Sequence, residues 1–139
     1  MDIKKIVQRL CHKYGCSDPY ELAGYLEINI RFENLGTMQG YFHRMCRIKQ
    51  VVINENLPEQ VKKFVLAHEL GHSIMHPDCN TPFLQSTFFS TDRLEIQANK
   101  FAAELIIQDM DLMEHWDFTL DQWAAFYGLP VEIIKLRFK

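Results

Sequence analysis

Residues 65–76 read VLAHELGHSIMH, and this segment restricts the possible folds more than any other. His68, His72 and His76 recur at every fourth position, and Glu69 follows the first of them. The segment sits in a helical pattern that opens at Pro58 and must stop at Pro77, because proline cannot continue a helix. Residues four apart on a helix share a face and are separated by about 6 Å along the axis. Two imidazoles so placed, His68 and His72, can converge on one zinc ion. Glu69 is turned about 100° from His68, so it flanks the metal as a general base rather than binding it. Burying these groups beside Val65, Leu66 and Leu70 is costly unless they have a partner.

A structural or catalytic zinc needs a further protein ligand. His76 continues the series but lies about 12 Å along a straight helix from His68. One ion with bonds of about 2 Å cannot span that distance. The pattern H-E-x-x-H-x-x-G-x-x-H uses a glycine to turn the chain before its last histidine, and here Ser73, Ile74 and Met75 continue the helix. His76 therefore reads as a helix C-terminal residue favoured by the macrodipole. Glu95, in DRLEIQANKFAAELI (92–106), has two readings. It can be a metal ligand on a helix packed against the first. It can also be the N3 residue of a capping box begun by Asp92.

Around these helices the chain reads as α+β. Ile3, Ile6, Val7 and Leu10 form an apolar stripe over 2–14, which Gly15 ends. Asp18-Pro19-Tyr20-Glu21 starts a second helix to about Leu26. Strands are expected at 28–32, 40–42 and 48–54, short and close enough for a small antiparallel sheet of three strands packed on the HExxH helix. Residues 77–91 read as a long loop, and helices follow at 92–108, 109–114, 119–127 and from Pro130 onward. The 139 residues read as one domain, with 117–139 as a small helix-turn-helix-like hairpin opened by a Thr119–Gln122 capping box.

The bulk properties exclude several classes. A net charge of −3 provides no footprint for nucleic acid or an anionic membrane. No apolar run reaches the roughly 18 residues needed to cross a bilayer. The opening MDIKKIVQRL is charged throughout, so no signal peptide is expected. Cys11, Cys16, Cys46 and Cys79 form no C-x-x-C pair, which argues against a zinc ribbon or thioredoxin site. A cytoplasmic protein with reduced thiols is expected. Tyr41, His43 and His115 are candidate donors to an oxyanion, and the sequence does not choose among them.

Residues 58–107 resemble the ImmA/IrrE family of zinc metallopeptidases. The resemblance rests on PEQVKKFVLAHELGHSIMH (58–76) and on E-x-x-A-N-x-F-A-A-E-L-I at 95–106, and the flanking helices and sheet are compatible with it. It implies a zincin-like minimal metallopeptidase. His68 and His72 match the family's zinc-binding histidines, Glu69 its catalytic glutamate and Glu95 its carboxylate ligand, the gluzincin-like choice. Asn99 matches a motif position behind the ligands. Family versions often carry a proline soon after the F-A-A segment, and Ile106-Ile107-Gln108-Asp109 has none. Such proteins are typically found in phages and mobile elements or in stress responses. The resemblance implies a protein substrate, a helix-turn-helix repressor whose cleavage relieves repression. The rival readings are a zinc-containing anti-repressor that binds without cutting, and a DNA-binding regulator working through its tail.

Overall fold

The computed structural model describes residues 1–77 and 92–139. Apart from Pro77, the loop expected at 77–91 lies outside the described residues, as does Cys79. Helix α1 (Ile3–Tyr14) opens on Asp2, whose carboxylate accepts from the Lys5 N–H. It closes on Gly15 in the left-handed region at φ 67°. Helix α2 (Pro19–Tyr25) is capped by Asp18 through the Glu21 N–H, with Pro19 in the first turn.

The strands are β1 (Ile28–Glu33), β2 (Gly40–Met45) and β3 (Ile48–Asn54). Their order is β1-β3-β2. β2 and β3 form the expected antiparallel hairpin, with Phe42 opposite Val51. β1 instead runs parallel to β3, pairing Ile30 with Val51. The three-stranded α+β architecture stands, but the sheet is mixed rather than wholly antiparallel. The physical reason is that β3 is the most apolar strand. Val51, Val52 and Ile53 are all buried, and the central position protects both sides of such a strand. Residues 34–39 then cross over β3, a span of about 10 Å that six residues cover easily. Asn54 secures this crossover from inside: its Nδ2 donates to Gly36 O at 3.0 Å and Met38 O at 2.8 Å.

Helix α3 (Glu59–Met75) lies between the sheet and helix α4 (Arg93–Ile106). Every residue from Phe64 to Ser73 is buried, so this helix is enclosed on all sides. The lining explains why: Val65 meets β2 at Gly40, and Gly71 meets Phe101 of α4. Helix α5 (Asp109–Glu114) follows α4 after a break at Ile107, without a proline. Helices α6 (Leu120–Tyr127) and α7 (Val131–Arg137) form the expected C-terminal pair around Gly128 at φ 66°. The Thr119–Gln122 capping box is present in both directions.

Helix α7 packs on α4 and is held there by charge. Arg137 is buried, donates from Nε to Ile107 O at 2.7 Å and pairs with Asp109 and Glu104. Lys100 Nζ donates to the carbonyls of Leu136 and Lys139. One buried cluster joins Ile3 and Val7 of α1, Phe64 and Leu70 of α3, Phe101 of α4, and Ile133 and Ile134 of α7.

Candidate metal centre

The crossing of α3 and α4 brings His68, His72 and Glu95 together. Four-residue spacing puts the two imidazoles on the α4 side of α3, with their Nε2 atoms 3.1 Å apart. Glu95 enters from the first turn of α4. Its Oε2 lies 2.9 Å from His68 Nε2 and its Oε1 2.9 Å from His72 Nε2. The capping-box reading of Glu95 is resolved by a division of labour. Asp92 caps α4 through the Leu94 and Glu95 N–H groups, while both oxygens of Glu95 face the histidines.

This donor set fits zinc. Tetrahedral bonds of about 2.0–2.1 Å place two nitrogen ligands about 3.3 Å apart, close to the spacing seen here. Two imidazole nitrogens and a carboxylate are also the mixed N/O set that zinc accepts. Burial alone would raise the Glu95 carboxyl, but hydrogen bonds and charge from His68 and His72 outweigh it and hold it at about 2. Glu95 is therefore a carboxylate, the ligating form. Burial pushes His68 below the usual imidazole range, which favours the neutral, ligating ring. Asn99 stands on the other side of the His68 ring, its Oδ1 2.8 Å from Nδ1, where it would accept from Nδ1–H once Nε2 gives up its hydrogen to a metal.

Glu69 is fully buried, and neither of its oxygens has a hydrogen-bond partner among the described residues. Burial, and then the charge of Glu95, raise its carboxyl well above the ordinary range. An unsatisfied buried carboxylate is costly unless it carries a proton or meets a partner. The structure thus brings together the sequence-predicted His68, His72 and Glu95, with Glu69 adjoining them in the chain.

His76 does not join the ligand group, and the expected helix-end position is correct, since it is the α3 C-cap. It is buried rather than solvent-facing, however. Its Nδ1 lies 3.0 Å from His72 Nδ1 and its Nε2 2.8 Å from Gln97 Oε1. Gln97 carried no signal in the sequence, because nothing in a helical pattern tells which glutamine meets a neighbouring helix. Gly71 was also passed over. A glycine inside a strong helical pattern is the signal that could have found it.

The three candidate oxyanion donors sit elsewhere. Gly40 and Phe42 of β2 face α3, so alternation turns Tyr41 and His43 to the other face of the sheet. His43 bonds to Gln50 there at 3.0 Å. His115 packs on Phe118, Trp123 and Phe126 in an aromatic cluster. Among the described residues, β3 is the central strand of the sheet and β2 is an edge. Among the described residues, no helix is long and apolar enough to cross a membrane.

The sequence comparisons agree with this geometry. The family model for the IrrE N-terminal-like domain matches residues 23–139. The chain is 44% identical over 139 residues to uncharacterized immunity region protein 2 of Bacillus phage phi105, covering 97% of this chain and 88% of that protein. It is 36% identical over 135 residues to metallopeptidase ImmA of Bacillus subtilis strain 168, covering 92% of this chain and 79% of that protein.

Proposed function

We propose that this chain, which belongs to the ImmA/IrrE family with its IrrE N-terminal-like domain, is a zinc-dependent endopeptidase. In this reading it acts in the cytoplasm and cleaves a helix-turn-helix transcriptional repressor, relieving repression. The carrying observation is the convergence of His68, His72 and Glu95 with an unpartnered buried carboxylate, Glu69, next to them in the chain. A metallopeptidase and a phage immunity-region protein among its relatives support the same direction.

His68 Nε2, His72 Nε2 and the Glu95 carboxylate would hold the zinc ion. When bound, zinc supplies Lewis-acid polarisation of the scissile carbonyl and makes water acidic enough to ionise near neutral pH. Glu69 takes the proton from the attacking water and delivers it to the leaving amine. Asn99 keeps the His68 ring in its ligating tautomer. The edge of β2, unpaired among the described residues, can receive an extended substrate segment as an added strand, with main-chain hydrogen bonds supplying affinity.

A DNA-binding role for the helix α7 segment has only Lys135 and Lys139 as exposed cations. Arg137 is buried and paired with Glu104 and Asp109, so it is not available to phosphate. The anti-repressor reading uses the same zinc site without chemistry. The discriminating experiment is incubation with the repressor encoded beside the gene, with and without chelator, followed by intact-mass analysis. Two fragments whose masses sum to the repressor plus one water, lost with chelator, support the peptidase. Zinc-dependent complex formation with an intact repressor would replace it with the anti-repressor.

A further inference from the structure

Of the ring nitrogens in the HExxHxxxH segment, those of His76 have no part in the mechanism above, yet both are engaged. We infer that His76 and Gln97 form a two-step relay that sets the tautomer and orientation of His72, making them positioning residues for the metal. The inference rests on the proposal that His72 is a zinc ligand, and it adds two residues to that site.

The polarity of the relay follows from hydrogen-bond inventory. Gln97 Oε1 can only accept, so His76 Nε2, 2.8 Å away, must carry the hydrogen. A neutral imidazole has one N–H, so His76 Nδ1 is a lone pair. That lone pair faces His72 Nδ1 at 3.0 Å, which must then be the donor. In the metal-bound form this tautomer leaves the His72 Nε2 lone pair for the ion, on the side of His68 Nε2 and Glu95. On the other ligand Asn99 Oδ1 does the same work in one step. The two histidines are thus oriented by different devices, an amide for His68 and an imidazole backed by an amide for His72.

The placement is built rather than incidental. His76 is 7% exposed although it caps a helix, where an imidazole could turn to solvent at no cost. Its position one turn beyond His72 puts the rings 5.2 Å apart at an angle of 52°. Gln97 comes from α4, the helix that also supplies Glu95 and Asn99. One helix therefore provides a ligand and the terminal acceptor behind each histidine.

The test measures zinc affinity by competition with a chromophoric chelator, on full-length protein, with the metal alone as probe. His76→Leu and Gln97→Leu should bind zinc one-to-one but about tenfold to a hundredfold more weakly. His76→Gln, which offers His72 an acceptor oxygen directly, and Gln97→Glu, which can only accept, should stay close to wild type. Nitrogen-15 spectra of the zinc-loaded wild type should show His76 as the Nε2–H tautomer and His72 protonated at Nδ1. Undiminished affinity in His76→Leu would overturn the relay. So would a loss in Gln97→Glu equal to that in Gln97→Leu, or a His76 proton on Nδ1. Abolished one-to-one binding in His76→Leu, with unchanged binding in Gln97→Leu, would make His76 a ligand and refute the proposal. Glu95→Ala is the control for the underlying site. If it binds zinc as wild type does, the ligand assignment has failed, whatever the relay variants show.

Discussion

Gly71 should resist replacement by alanine, against the usual preference of helices. It lies between the two metal-facing histidines, where α3 crosses α4. A Cβ built at this position would stand 3.0 Å from Cβ, Cγ and Cδ1 of Phe101. Carbon atoms pack at about 3.5–4.0 Å, so roughly 0.5 Å or more of separation must be found. Phe101 is fully buried, so its ring cannot swing into solvent. The helices must part, or the ring must leave its rotamer. Alanine gains about 1 kcal/mol in helix propensity, while overpacking a core costs about 1–3 kcal/mol. The net effect is a loss of about 0–2 kcal/mol, or up to about 7 °C in Tm for a chain of 139 residues. The effect on the site should be larger in proportion. Metal sites tolerate displacements of about 0.2 Å, and Glu95 rides on the helix that is pushed away. Gly71→Ala should therefore weaken zinc binding about tenfold or more, a loss of the size seen when an outer partner of a ligand is removed. Adding Phe101→Leu should return part of it, a coupling readable as a double-mutant cycle. The assays are thermal denaturation of metal-free protein and chelator competition. A Tm raised by about 3 °C with unchanged zinc affinity would refute the reasoning, since it would mean the crossing has slack and only propensity is felt.

Three further variants probe single links. Glu69→Gln should retain one zinc and slow cleavage about a hundredfold to ten-thousandfold, because an amide cannot take the proton from water. Cleavage at the wild-type rate with zinc bound would contradict the role given to it. Asn99→Ala should weaken zinc about tenfold to a hundredfold and Asn99→Asp should restore it, as chelator titration would show; equal loss in both would remove Asn99 Oδ1 as the acceptor for His68. Asn54→Ala should lower Tm by about 3–10 °C, since it removes the two hydrogen bonds that buried Asn54 donates to Gly36 O and Met38 O, while one-to-one zinc binding persists. An unchanged Tm would show that the crossover of residues 34–39 is held by other means.

Much of this molecule is legible locally. Asp18 and Thr119 announce helix starts, Gly15 announces an end, and the structure uses each of them. These signals need only neighbouring residues, so sequence carries them in full. His68, Glu69 and His72 are legible for the same reason, because helical periodicity alone puts them in register. Glu95 needed more. Its spacing allowed a cap or a ligand, and only the docking of α4 on α3 shows that Asp92 caps while Glu95 turns to the histidines. Strand direction was misread because adjacency in sequence favours hairpins, whereas placing the apolar β3 centrally makes β1 its parallel neighbour. His76 and Gln97 show the limit most clearly. Distance along the helix excludes His76 from the ligands, yet nothing in the sequence says that it turns inward onto His72. That orientation is a tertiary fact, set by what α4 offers at the end of α3.

The central claim is that α3 and α4 build a zinc site from two histidines and one glutamate. Anomalous diffraction from crystals of the zinc-loaded protein, collected on either side of the zinc absorption edge, tests it most directly. The account predicts one peak per chain, bonded at about 2.0–2.2 Å to His68 Nε2, His72 Nε2 and a Glu95 carboxylate oxygen, with His76 outside bonding distance. A peak held by other residues, or a fully loaded crystal with no peak between α3 and α4, would contradict it.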